Sequence, residues 1–149
     1  MSLKGQDSLI QENFGSVTYL IRSVLPYMPS GGSIVNITSI EAHRAAPGFA
    51  VYSAMKAGVA NLTKSLALEL GPRMIRVNCI APDVIPTPGI GDPPVRTPLP
   101  RKGNVDDVAA AVVFLAGELS AFVSGTTIHV DGGNLAAGGW KQQEDGWST

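Results

Sequence analysis

Three residues, Ser39, Tyr52 and Lys56, bring together a hydroxyl, a phenol and an ammonium in a pattern that can move a proton. Tyr52 and Lys56 are four residues apart, the spacing of neighbours on one helix face, so the ammonium can ready the phenol for proton transfer near neutral pH. Ser39 follows a short apolar run, and in a parallel sheet ligands bind beyond the carboxyl ends of the strands. That position puts its hydroxyl where chemistry occurs. A tyrosine and a lysine at this spacing also suit an exposed helix face, and a serine after a strand also suits a turn. A hydrolase built on Ser39 finds no matching His/Asp arrangement in the chain.

Elements must hold these groups in place. Between Ser8 and Met28, the residues Ile10, Phe14, Val17, Ile21, Val24 and Leu25 recur at three- and four-residue steps, which predicts a helix closing near Pro26. After the turn at Pro29-Ser30-Gly31-Gly32, Ser33 to Thr38 is short, apolar and β-branched, as befits a strand covered on both faces. Ala50 to Leu70, rich in Ala and Leu, predicts a long helix that Gly71-Pro72 stops and that carries Tyr52 and Lys56 near its start. Met74 to Ile80 predicts a second strand, between Pro72 and Pro82.

Residues 82 to 100 hold seven prolines, which excludes helix and sheet and predicts an ordered loop or lid. Asn104 is placed to cap a helix with Asp106 and Asp107 in its first turn and Val108, Ala111, Val112 and Leu115 on one face, ending near Gly117. Thr126 to Val130 predicts a last strand, broken by Asp131-Gly132-Gly133, and residues 134–149 read as a loosely structured tail. Helices alternating with apolar strands predict a single α/β domain over 1–149, with a parallel sheet, right-handed crossovers and helices on both faces.

Composition narrows the function classes. Eleven Lys+Arg against 12 Asp+Glu give a net charge of -1, with no basic field to attract nucleic acid or an anionic membrane. A hydrophobic share of 44% with only 15% charged residues argues for a folded chain rather than a disordered one. No apolar stretch reaches the length of a membrane span, and the opening residues lack the pattern of a secretory signal. The lone Cys79 forms no internal disulfide and no Cys/His cluster has metal-ligand spacing, so no metal site and a reducing, cytoplasmic home are expected.

The block Asn36-Ile37-Thr38-Ser39, followed by Tyr52-Ser53-Ala54-Met55-Lys56-Ala57-Gly58, resembles the active-site region of the short-chain dehydrogenase/reductase family. Ile75 to Pro82 and Val84-Ile85-Pro86-Thr87-Pro88 are similar to that family's next strand and nicotinamide-contacting loop. Phe114-Leu115-Ala116 and Ser124 to Gly133 resemble its closing helix and strand, and Asn13 falls where the family keeps a helix asparagine. The resemblance runs from about Ser8 to Gly133 and implies a truncated, three-layer Rossmann-like fold of about three strands.

It also implies an oxidoreductase that transfers hydride between NAD or NADP and a secondary alcohol or ketone. In that reading Tyr52 is the general acid/base, and Ser39 orients the substrate carbonyl. Lys56 holds the nicotinamide ribose and supports Tyr52, and Asn13 anchors a water leading from Lys56. Pro82, Asp83, Val84, Ile85 and Thr87 line the nicotinamide. The helices at 8–28 and 50–70 correspond to the family's dimer interface, which implies a homo-oligomer.

The chain also departs from the family. The glycine-rich turn that cradles a dinucleotide pyrophosphate is missing, as is the residue that selects between NAD and NADP. Met1 to Gln6 resembles the family's usual opening into its first strand, which suggests a deletion between Gln6 and Asp7; a vector-derived Met1-Ser2-Leu3 is the other reading. Such a loss would weaken cofactor binding and leave the first strand with an open edge. The alternative to an enzyme is therefore an inactive remnant that persists as an oligomerising or partner-binding module. Asp83 and Ser16 stand where the family commonly has glycine, and the lid from Gly89 to Pro100 is short. Glu41 and His43 are candidates for the substrate pocket or a solvated loop, His129 reads as structural, and Trp140 and Trp147 either plug a partner's pocket or belong to a flexible end.

Overall fold

A computed structural model describes residues 2–148; Met1 and Thr149, the ends of the predicted opening segment and tail, lie outside the described residues. Helix α1 (Leu3–Ile10) runs through a five-residue π-helical stretch, Gln11–Gly15, into α2 (Ser16–Val24). It starts five residues earlier than the apolar spacing predicts. The Ser2 hydroxyl accepts the Gly5 amide at 3.1 Å, capping a polar first turn that has no apolar face to betray it. The opening is therefore helical rather than a lead into a strand.

Strand β1 (Ser33–Ile37) is followed by α3 (Ala50–Leu70), β2 (Arg76–Pro82) and α4 (Val105–Ala116), then β3 (Thr127–Val130). The strands form a parallel sheet in the order β1-β2-β3, with Asn36 opposite Cys79 and Cys79 opposite Thr127. As the central strand, β2 meets helices on both sides, and Val77 to Ala81 are wholly buried. β2 begins two residues later than predicted because Met74 takes a left-handed conformation, φ 55°, at the end of the turn that follows α3.

The two faces of the sheet are told apart by their contacts. Ile34 and Val77 pack with Leu66, Ala67 and Leu70 of α3, and Asn36 donates to Thr63 of the same helix. Ser33 and Arg76, on the opposite face, both donate to the Leu115 carbonyl of α4. Helices thus cover both faces, as expected. The successive crossovers step the same way across the sheet over opposite faces, so they have opposite hands. Right-handed crossovers throughout were expected; one of the two departs from that rule.

Two local features tighten this arrangement. Arg76 donates to the carbonyls of Leu115 and Gly117 and to Ser120 Oγ, neutralising the negative end of α4. At Gly58 a Cβ would come within 3.2 Å of the Phe14 ring, so glycine lets the π-helical stretch lie close against α3. The tail is more ordered than its composition suggests: α5 (Asn134–Ala137) precedes an exposed antiparallel hairpin of β4 (Lys141–Gln143) and β5 (Gly146–Ser148), in which Trp147 faces Gln142. No described helix is long and apolar enough to cross a membrane.

Candidate active site

The carboxyl end of β1 is held by Thr38, whose amide and hydroxyl both donate to the Ile80 carbonyl, at 2.7 and 3.0 Å. Fixing Thr38 fixes Ser39, which is 8% exposed and caps a 3-10 turn over Ile40–Ala42. Its Oγ accepts the Glu41 amide at 3.2 Å. The hydroxyl proton has no acceptor among the described residues, so it is free to donate to a ligand.

Tyr52 stands in the first turn of α3, half-buried, with Phe49 edge-on at a centroid separation of 6.5 Å. Its hydroxyl hydrogen-bonds no described residue. One turn on, Lys56 donates from Nζ to the Ile37 carbonyl at 3.2 Å, and the ammonium lies 5.6 Å from the centroid of the Tyr52 ring. Burial holds the Lys56 pKa below the ordinary 10.5 of a lysine.

Ser39 and Tyr52 share one cleft of ≈ 810 Å³ at the carboxyl end of the sheet, large enough for a small organic ligand. Its walls are mostly apolar, from Leu9, Phe49, Val51, Ile85 and Ile90, and its charged groups are Glu41 and Asp83. The apolar contributors from α1 and the loop carry no motif, which is why sequence inspection passes over Leu9, Phe49 and Ile90.

Of the segment from Pro82 to Thr87, Asp83, Val84 and Ile85 form a wall of the cleft, which Pro82 does not line. Pro82 pairs with Val130 at the end of β2, and the Asp83 amide continues the ladder by donating to the Val130 carbonyl at 3.1 Å. Asn134 donates to Asp83 Oδ2 at 2.7 Å, a contact across 51 residues that no sequence signal announces. Val84 and Ile85 line the cleft, and the Thr87 carbonyl accepts the amides of Ile90 and Gly91 in a turn. Thr87 itself does not line the cleft.

Asn13 lies in the π-helical stretch, a geometry that recurs at functional sites. Its side-chain Nδ2 donates to the Leu9 carbonyl at 3.0 Å, one turn back in its own helix. Glu41 reaches the cleft and pairs with Arg44 at 2.8 Å. His43 instead packs edge-on against His129, with centroids 4.8 Å apart. Burial, then His129 and Lys64, push the His43 pKa below 6.5. Among the described residues no group of three or more His, Cys, Asp or Glu could hold a metal ion.

Residues 1–134 match the sequence model of the family described as enoyl-(acyl carrier protein) reductase. The chain is 40% identical over 137 residues to the 3-oxoacyl-[acyl-carrier-protein] reductase FabG of Thermotoga maritima, covering 85% of this chain and 56% of that protein. It is 42% identical over 117 residues to carbonyl reductase [NADPH] 2 of Sus scrofa, covering 71% of this chain and 48% of that protein. Among solved structures, a blue fluorescent protein from a metagenomic library in complex with NADPH superposes with a TM-score of 0.85 at 32% identity, over 90% of this chain and 57% of that one. The chain therefore spans about half the length of the curated relatives it matches.

Proposed function

The chain belongs to the short-chain dehydrogenase/reductase family, and we propose that it interconverts a ketone and a secondary alcohol with a nicotinamide cofactor, Tyr52 acting as general acid/base. The observation that carries this reading is the meeting of Ser39 and Tyr52, from different elements, in one cleft beyond the carboxyl ends of the parallel strands.

The residues present fit the nicotinamide end of such a cofactor. Lys56 spends one of its three donors on Ile37, so two remain for the hydroxyls of a ribose. Val84 and Ile85 offer an apolar wall for an aromatic ring. The 149 residues contain no glycine-rich turn placed after a strand to cradle a pyrophosphate, so the fit extends to the nicotinamide riboside portion alone. When bound, the cofactor supplies or accepts the hydride.

The chain's own groups do the rest. Ser39 donates its free hydroxyl hydrogen to the substrate oxygen and holds the carbonyl toward Tyr52. In reduction Tyr52 gives its phenolic proton to that oxygen, and in oxidation it takes the proton back. Lys56 holds positive charge beside the ring while this happens. The apolar walls offer a surface for the carbon frame around the reacting carbonyl. NADPH is the cofactor to test first, because two of the similar proteins are named with it.

The test is a titration of the full 149-residue chain with NADPH and NADH, read by nicotinamide fluorescence, followed by turnover of ketones with and without Tyr52→Phe. Binding together with turnover that the substitution abolishes supports the reading. Turnover that Tyr52→Phe leaves undiminished, or no cofactor binding up to millimolar, overturns it.

A second reading, self-association through the helices at 8–28 and 50–70 with or without catalysis, is favoured by a specific feature. An apolar groove of ≈ 380 Å³ lies between α2 and α3, lined by Ile21, Leu25, Leu62 and Leu66. Sedimentation of the chain and of Leu62→Glu tests it; a chain that remains a monomer at high concentration removes this reading.

A further inference from the structure

Among the described residues, the charged ones lining the cleft are two acids, Glu41 and Asp83, set with Ser39 and Tyr52 in a mostly apolar wall. No lysine, arginine or histidine lines it among the described residues, and the nearest ammonium, that of Lys56, lies behind the wall 5.6 Å from the Tyr52 ring centroid. Lys56 turns its ammonium to the Ile37 carbonyl, and His43 and His129 pack on each other. The one guanidinium close by, Arg44, binds Glu41 Oε1 at 2.8 Å, and that contact raises its pKa. Glu41 is thus offset by Arg44, whereas Asp83, held by the neutral Asn134 amide, leaves the cleft wall with an acid that pairs with no described cation.

Asp83 is fixed in this role. Its amide is tied to Val130, and Oδ2 accepts from Asn134 at 2.7 Å, which leaves its other oxygen without a described partner. A carboxylate on an apolar wall acts through a lower dielectric than water, so its effect on a second charge is amplified and is weakened by salt.

We propose that Glu41 and Asp83 make this cleft selective by charge, admitting neutral and cationic ketones or alcohols with an apolar arm and rejecting substrates that carry a carboxylate or phosphate near the carbonyl. The inference rests on the reading of the cleft as the substrate site and names the substrate class of that site.

Three para-substituted acetophenones of similar shape provide the test: acetophenone, 4-acetylbenzoate and 4-acetyl-N,N,N-trimethylanilinium. Their dissociation constants for the full chain are measured by NMR titration at low salt, without turnover. The anion is expected to bind at least about tenfold more weakly than acetophenone, ~1.4 kcal/mol, and the cation at least as tightly as acetophenone. Raising the salt should narrow the spread. Glu41→Gln with Asp83→Asn should close it, because the amides keep an oxygen to accept from Arg44 and Asn134 while losing the charge. Single substitutions that each close part of the spread keep the test sound if the double variant does not fold.

An anion that binds as well as acetophenone, or a spread untouched by the amide variants, overturns the inference and leaves the proposed chemistry standing. No binding by any of the three overturns both. A charge order that persists in Tyr52→Phe, or in a chain without turnover, supports the inference whatever becomes of the catalytic reading.

Discussion

Lys56 Nζ donates to the Ile37 carbonyl at 3.2 Å and so ties the helix that carries Tyr52 to the strand that delivers Ser39. The bond opposes two effects of comparable size. A hydrogen bond from a charged donor contributes about 1.5–3 kcal/mol, while burial of the ammonium, visible in its lowered pKa, costs part of that back. Lys56→Met is therefore expected to shift the melting temperature by only a few degrees while abolishing nicotinamide binding. Thermal melts paired with the fluorescence titration check this; a variant that binds NADPH normally contradicts the role given to Lys56.

Proton transfer by a positioned side chain is worth about 10²–10⁴ in rate, and that is the loss expected for Tyr52→Phe. The hydroxyl hydrogen-bonds no described residue, so its removal should leave the far-ultraviolet circular dichroism and melting temperature unchanged. Ser39→Ala should cost less in rate but more in substrate affinity, since Ser39 binds the carbonyl without giving up its proton in the reaction. Steady-state kinetics on both variants separate the two contributions.

How much of this was legible in the sequence depends on the distance over which each residue acts. The Asn104 cap was readable because its partner is local: Asn104 Oδ1 accepts the Asp107 amide at 3.0 Å, and Asp107 Oδ2 accepts the Asn104 amide at 2.8 Å. The start of α1 was not, since Ser2 caps a turn with no apolar periodicity. The opposite hands of the crossovers depend on which face α4 covers, a choice fixed by Arg76 reaching Leu115 across 39 residues. The chemistry of Ser39, Tyr52 and Lys56 shows in their spacing, whereas the charge of the pocket depends on Asp83 and Glu41 converging from separate loops.

Inside the sheet–helix interface, Asn36 Nδ2 donates to Thr63 Oγ1 at 3.0 Å, and Thr63 in turn donates to the Val59 carbonyl at 2.9 Å. Thr63 is 0% exposed, so Thr63→Val keeps the volume but strands the Asn36 amide away from water. The expected loss is about 1–3 kcal/mol of unfolding free energy, measured by urea denaturation. An unchanged midpoint would mean that Asn36 finds another acceptor.

His43 gives the chain a pH dependence near neutrality. Its folded pKa lies below 6.5, chiefly through burial and then through His129 and Lys64. As pH falls below about 6.5 the unfolded chain binds a proton that folded His43 refuses, so stability declines and levels off once the folded imidazole is itself protonated. His43→Gln should flatten that decline in melts between about pH 7 and 5. A slope unchanged by the substitution would assign the effect to another group.

Asp107 produces the opposite kind of window, far into acid. Arg101 grips it with both guanidinium nitrogens, at 2.7 and 2.8 Å, and the Asn104 amide adds a third donor, which together hold its pKa at about 2 rather than 3.8. A carboxylate whose folded pKa is depressed contributes stability that is complete above its ordinary pKa and is lost as pH falls through the folded one, here between about pH 4 and about 2. The group sits on the surface, so salt weakens the Arg101 pair without touching the local cap. Acid titration followed by circular dichroism should show α4 and the proline-rich loop loosening in that interval, and Asp107→Asn should remove the dependence while Asn104 still caps the helix. Arg101→Gln should move the transition toward higher pH, because the largest contribution to the depressed pKa is then gone; a transition that stays in place would mean the cap alone sets it.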